Sequence, residues 1–141
     1  MTMKKLGVAM VAVMMTSTAI GADWVNLGTS QAGGFTSSLD IDSVRKLNTY
    51  SKQISYFTKN DFSKAQKTAD GKYYNYSVVQ GKGDCENNRF SIKGGIGYTK
   101  NGSVVYSYNI PYDDWDTVFP DTVGEKELNA ACYVAGYRDT L

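Results

Sequence analysis

The chain has no histidine. That absence removes the Ser-His and Cys-His nucleophile systems, and most zinc sites, in one step. Cysteine is scarce, with only Cys85 and Cys132. Methionine is missing after the start: all five lie at Met1, Met3, Met10, Met14 and Met15. No apolar run reaches the ~20 residues that a membrane-spanning helix requires. Neither sign of charge dominates, at 15 basic against 14 acidic residues. A balance so near zero gives no general attraction to a polyanion, so no nucleic-acid partner is expected. Internal repeats and low-complexity tracts are also absent.

The first residues have the order of a secretory signal peptide. Lys4 and Lys5 supply the positive start, Leu6 to Met15 the apolar run, and Thr16 to Ala22 a stretch of mostly small residues. Cleavage is expected after Gly21 or Ala22, leaving residues 23–141 as one domain of about 120 residues, within the usual size range. Without Lys4 and Lys5 the remainder has 13 basic and 14 acidic residues. No cysteine lies near the cleavage point, so no lipid anchor is expected there. The destination is the periplasm, the cell surface or the medium.

Period-two alternation recurs through the rest of the chain. Phe35, Leu39 and Ile41 fall on one side of a strand ending at Asp42. Tyr50, Ile54 and Tyr56 mark a second, and Tyr74, Tyr76 and Val78 a third. Phe90, Ile92, Ile96 and Tyr98 mark a fourth, with Gly94 in the missing apolar position. Val104, Tyr106, Tyr108 and Ile110 mark a fifth, and a further short strand starts at Trp24. Such alternation predicts antiparallel sheet with one buried and one wet face. Asn101-Gly102 predicts a type I′ hairpin between the fourth and fifth strands. Gly94, Gly95 and Gly97 interrupt the fourth strand, which implies a bulge, a bend or a close approach by another element. They have no following helix and no Gly-Lys-Ser/Thr ending, so they are not a nucleotide loop.

Two segments read as helical. Asp42 can cap a short turn through Ser43, Val44, Arg45 and Lys46. Thr122-Val123-Gly124-Glu125 has capping-box spacing and opens a stronger helix. Glu125 and Glu127 suit the positive end of its dipole. Leu128, Ala131, Cys132 and Ala135 then form one apolar stripe, and Gly136 is a natural stop. In an oxidising compartment an even pair of cysteines reads as one bridge, with two free thiols as the alternative. A Cys85–Cys132 bond would pin this helix near the polar loop Gln80 to Asn88.

Several clusters carry possible chemistry. Asp113, Asp114 and Asp116 surround Trp115 without the spacing of a calcium loop, so a solvated loop is expected and no metal or cofactor. The Asp and Glu pairs also sit in turns or caps, so catalysis by paired carboxylates is a third-ranked reading. Trp24 and Trp115 are expected in the core. Lys59, Lys64, Lys67 and Lys72 lie within a predicted loop that also holds Asp61 and Asp70. Alternation then puts Tyr74 and Tyr76 on one face, in the core, and Tyr73 on the other. The strip reads first as a solvated loop between two strands; the functional alternative makes Lys59, Lys64, Lys67, Lys72 and an exposed Tyr73 the candidate partner-binding residues.

The order of these features resembles the bacterial surface-adhesin protein E family. The resemblance rests on Trp24, then Leu39-Asp40-Ile41-Asp42-Ser43-Val44-Arg45, then Tyr76-Ser77-Val78 leading to Asp84-Cys85. Tyr98 with its Gly-turn hairpin follows, then Trp115-Asp116-Thr117-Val118-Phe119-Pro120 and the capped helix carrying Cys132. It covers nearly all of residues 23–141. It implies an α+β fold with about six antiparallel strands and a C-terminal helix. It further implies a non-enzymatic module that binds host extracellular-matrix or serum proteins, with a homodimer as one assembly. A soluble periplasmic protein that binds or inhibits another envelope component is the competing expectation.

Overall fold

The computed structural model describes residues 22–141; the export segment and its cleavage step lie outside the described residues. Six strands form one antiparallel meander in chain order: β1 (Trp24–Ser30), β2 (Phe35–Lys46), β3 (Gln53–Lys67), β4 (Tyr73–Asp84), β5 (Arg89–Tyr98) and β6 (Val104–Asn109). A two-residue strand, β7 (Asp116–Thr117), returns to pair with β5, and the helix α1 (Val123–Val134) closes the chain. The expected α+β architecture is the one observed.

The register explains the two faces. Leu39, Thr58, Val79, Gly95 and Tyr108 are successive cross-strand partners and share one face. Ser38, Lys59, Val78, Ile96 and Ser107 form the neighbouring row on the opposite face. Helix α1 lies on the first face, against β1, β2, β3 and β4. Its stripe supplies Leu128, Ala131 and Cys132 to a core with Leu39, Ile54 and Tyr56. Small residues on the sheet let it approach: a Cβ on Gly83 would sit 2.6 Å from Leu128 Cδ1.

Both helix ends are satisfied locally. Glu125 N donates to Thr122 Oγ1 at 3.2 Å. The Glu125 carboxylate accepts from Asp121 N at 3.1 Å, one residue before the cap. At the other end Tyr137 N reaches Cys132 O and Gly136 N reaches Tyr133 O, with Gly136 at φ 86°. This is a Schellman stop. Cys85 and Cys132 are bonded, with Cα atoms 5.8 Å apart, so the helix is tied to the end of β4 as anticipated.

Other local expectations fail for physical reasons. Ser43 to Lys46 is not helical but belongs to β2. Four residues, Ile41 to Val44, bulge opposite Tyr56. There the Ser43 hydroxyl donates to Asp40 O and accepts from Phe57 N, replacing ladder bonds. The polar residues signalled an excursion, and the sheet absorbed it. Tyr50 lies before β3 and is 90% exposed. The β5–β6 hairpin is not type I′, since Asn101 has no positive φ. Gly102 N donates to Thr99 O, and Gly102 alone has a positive φ, 88°, as in a three-residue loop with a glycine bulge. The predicted Lys59–Lys72 loop is mostly strand, with the turn confined to Thr68–Lys72. The Gln80–Asn88 loop is likewise shorter, because β4 continues to Asp84.

Candidate binding surface

Among the described residues, no element covers most of the face opposite α1. Trp24, Phe57, Lys59, Tyr76, Ile96 and Tyr98 share it. The Tyr76 and Tyr98 rings stack with centroids 4.9 Å apart. Lys59 Nζ stands 4.8 Å from the Tyr76 ring centre and 5.8 Å from that of Trp24. It also reaches Asp61 at 3.7 Å. Lys59 thus lays its stem on aromatic surface and keeps its charge at the rim. Phe57, 38% exposed, continues the apolar area toward β2.

One end of this face is closed by the segment Ile110–Trp115. Asp114 N donates to Ser91 Oγ at 2.9 Å. Asp113 accepts from Lys82 at 2.7 Å and from Lys93 at 2.8 Å. These two lysine bonds hold its carboxyl below the usual range. Trp115 is half-buried rather than core, with Lys82 at 5.5 Å and Arg89 at 4.9 Å from its ring centre. Arg89 in turn bonds Asp84 at 2.8 Å, whose side chain is only 3% exposed. Burial alone would raise the Asp84 carboxyl. Bonds from the Asn87 and Arg89 side chains, and from the Asn87 and Glu86 amides, outweigh it and hold the group below its ordinary value. Asp84 and Asp113 are therefore fixed as anions, which suits structure and not proton donation.

A third carboxylate behaves oppositely. Glu127 lies at the helix–sheet interface, where burial raises its pKa and a 2.6 Å bond from Ser37 Oγ partly offsets that. Burial, and then the Glu127 charge, push the nearby Tyr56 hydroxyl upward.

The structure separates the candidate contact residues. Lys67 and Tyr73 are cross-strand partners, with the ammonium 5.7 Å from the ring centre. Lys72 lies in the adjoining turn, 3.9 Å from Asp70. Tyr73 is 58% exposed, as its place on the strand suggested. Lys64 lies on a bulge, Phe62 to Ala65, opposite Asn75. Lys59 is apart from this tip, on the open face. Tyr74 and Tyr76 do not share a side. The bulge breaks the alternation, so Tyr74 packs on Phe62 and Tyr106 while Tyr76 stacks on Tyr98.

An aromatic row on the helix-bearing face was missed. Phe35, Phe62, Tyr74, Tyr106 and Tyr108 touch in sequence beyond α1. The Tyr106 and Tyr108 rings lie across β5, where a Cβ on Gly97 or Gly95 would meet them at 1.9 and 2.8 Å. Burial pushes the Tyr106 hydroxyl up to about 12. Glycine spaced by two opposite tyrosine spaced by two, across a hairpin, was the signal available in the sequence.

With the sheet, helix and disulfide in view, comparison decides the relationship. The sequence profile of the surface-adhesin protein E family matches residues 24–133. The chain belongs to this family. Solved structures of Haemophilus influenzae protein E share the fold of this family member. The crystal structure of protein E from non-typeable Haemophilus influenzae has 12% identity and a TM-score of 0.57, covering 88% of this chain and 84% of that one. A second crystal form of Haemophilus influenzae protein E has 15% identity and a TM-score of 0.52, covering 82% of this chain and 98% of that one. No curated protein matches the chain in sequence. Among the described residues, no helix is long and apolar enough to cross a membrane.

Proposed function

We propose that this surface-adhesin protein E family member is an exported, non-enzymatic module that binds host extracellular-matrix or serum proteins through the open face of its sheet. The supporting observation is that face itself. It joins stacked aromatic rings, half-buried apolar side chains, exposed Phe57 and the rim Lys59 on a rigid sheet, with no second layer over them among the described residues. Aromatic side chains on a rigid support lose little conformational entropy when they anchor a protein partner. The Lys64–Tyr73 hairpin projects from the same sheet and would add electrostatic steering. Family membership supports the adhesive role, and the signal-like start supports the route. N-terminal sequencing of exported protein should find a first residue between Ile20 and Asp23; retention of Met1 would contradict export by cleavage.

The test is binding of the exported protein to a panel of purified matrix and serum proteins, beside extract of the producing cell's own envelope. The adhesin reading expects saturable binding to a host protein. Binding confined to the envelope extract would replace it with the periplasmic reading. Protease treatment of whole cells separates the locations, since it reaches a surface protein and spares a periplasmic one.

A further inference from the structure

A cleft of about 660 Å³ opens beside β7, away from the centre of the open face. Phe90, Trp115 and Phe119 supply its aromatic lining, and Asp116, Thr117 and Thr122 its polar lining. Phe119 is 71% exposed, a large apolar side chain left in water at the end of an otherwise ordered segment. The run Ile110 to Glu125 contains Asp113, Asp114, Asp116, Asp121 and Glu125 and no lysine or arginine. Asp113 is neutralised by Lys82 and Lys93. Among the described residues, Asp114, Asp116, Asp121 and Glu125 form no ion pair. Lys82 and Arg89 approach Trp115, and with Lys93 they exceed their partners Asp113 and Asp84 by one positive charge. The cleft is therefore aromatic on one side and polar on the other, with unpaired Asp116 in its lining and Asp114, Asp121 and Glu125 next in the chain to lining residues, so unpaired carboxylates outnumber the surplus cation.

We propose that this cleft docks a basic, extended segment of a partner protein, with an arginine or lysine side chain against Phe119 and beside Asp116. Three physical arguments select this occupant. A cation over an aromatic ring gains from the ring quadrupole, and Phe119 offers an exposed ring. The unpaired carboxylates complement it in charge. Finally, β7 is a sheet edge. Among the described residues it pairs with β5 on one side only, so some of its backbone groups point outward and can accept an added strand. The helix N-terminus nearby does not favour an anion here. The amides of Asp121 and Glu125 are already bonded, and the Glu125 carboxylate offsets the dipole.

The experiment uses fluorescein-labelled peptides of alternating arginine and valine, glutamate and valine, or serine and valine, titrated into the exported protein with its disulfide intact. The arginine peptide should bind at least about ten-fold more tightly than the other two, and weaken as salt rises. In a Trp24→Phe variant the remaining tryptophan is Trp115, and its emission should change on peptide addition. Phe119→Ala, and Asp114→Asn with Asp116→Asn, should each weaken the arginine peptide about ten-fold while melting temperature holds. Equal binding of all three peptides, a silent Trp115, or full affinity in both variants would overturn the proposal. Salt-sensitive self-association that disappears on neutralising Lys64, Lys67 and Lys72 would also overturn it, by making a second copy the occupant.

Discussion

The two faces of one sheet solve opposite problems. The face under α1 is made of side chains that are small or fully enclosed: Ser37, Leu39, Ile54, Gly81, Gly83. Gly83 is there because Leu128 and Tyr56 occupy the space its side chain would need. The opposite face carries large rings and charges that stay partly in water. The first face gains stability by excluding water and is closed by a covalent bond. The second keeps unsatisfied contact area on a rigid support. In so small a domain, the energy that holds the fold and the surface that can bind are thus separated by the thickness of one sheet.

Substitutions should divide along the same line. Cys132→Ala has the largest expected effect. It frees the helix and enlarges the unfolded ensemble, lowering stability by roughly 2–5 kcal/mol in denaturant titration. Binding measured below the lowered melting point should persist, because the disulfide ties the helix on the other side of the sheet. Gly83→Ala should follow, at about 1–3 kcal/mol, since its Cβ would meet buried Leu128 at 2.6 Å. A binding defect larger than the stability defect in either variant would break the division.

Protons sharpen the comparison. The Asp84 carboxyl is held low, so its contribution is present above the unfolded carboxylate range and is lost as pH falls through it. Asp84→Asn should cost about 1–3 kcal/mol at neutral pH, with the gap to wild type shrinking below about pH 4. The Glu127 carboxyl is raised, so the sign reverses: its favourable contribution is complete below about pH 4 and is lost as pH rises through the folded value. Glu127→Gln should melt above wild type at neutral pH and alongside it in acid. Melting curves across that range give both signs. The smallest stability effect belongs to the exposed tip. Neutralising Lys64, Lys67 and Lys72 together should change stability by no more than about 0.5 kcal/mol. It should slow partner association more than it speeds dissociation, and remove part of the salt dependence.

Much of the fold was legible because its signals are local. Alternation located β2 to β6, the Thr122 cap and the Leu128 stripe located α1, and the cysteine count located its tether. What failed required neighbours. The Ser43 turn signal became a bulge because Phe57 N was available to bond its hydroxyl. Trp115 was expected in the core, but the cations that flank it come from β4 and β5, distant in sequence. The same is true of the lysine strip. Its residues read as one loop, yet the bulge at Phe62–Ala65 puts Lys59 on the sheet and Lys67 and Lys72 at a hairpin tip. Alternation also cannot see a break in its own phase, which is why Tyr74 and Tyr76 part company.

The central claim is that the open face makes the protein contact. It is tested most directly by hydrogen–deuterium exchange of the exported protein with and without a bound matrix or serum protein. The outcome is read over Gln53–Asp61, Tyr76–Gln80 and Ile96–Tyr98 on the open-face strands, and over α1. Added protection in the three strand segments, with α1 unchanged, is the expected result. Protection confined to α1, with those strands exchanging as in the free protein, would contradict the account.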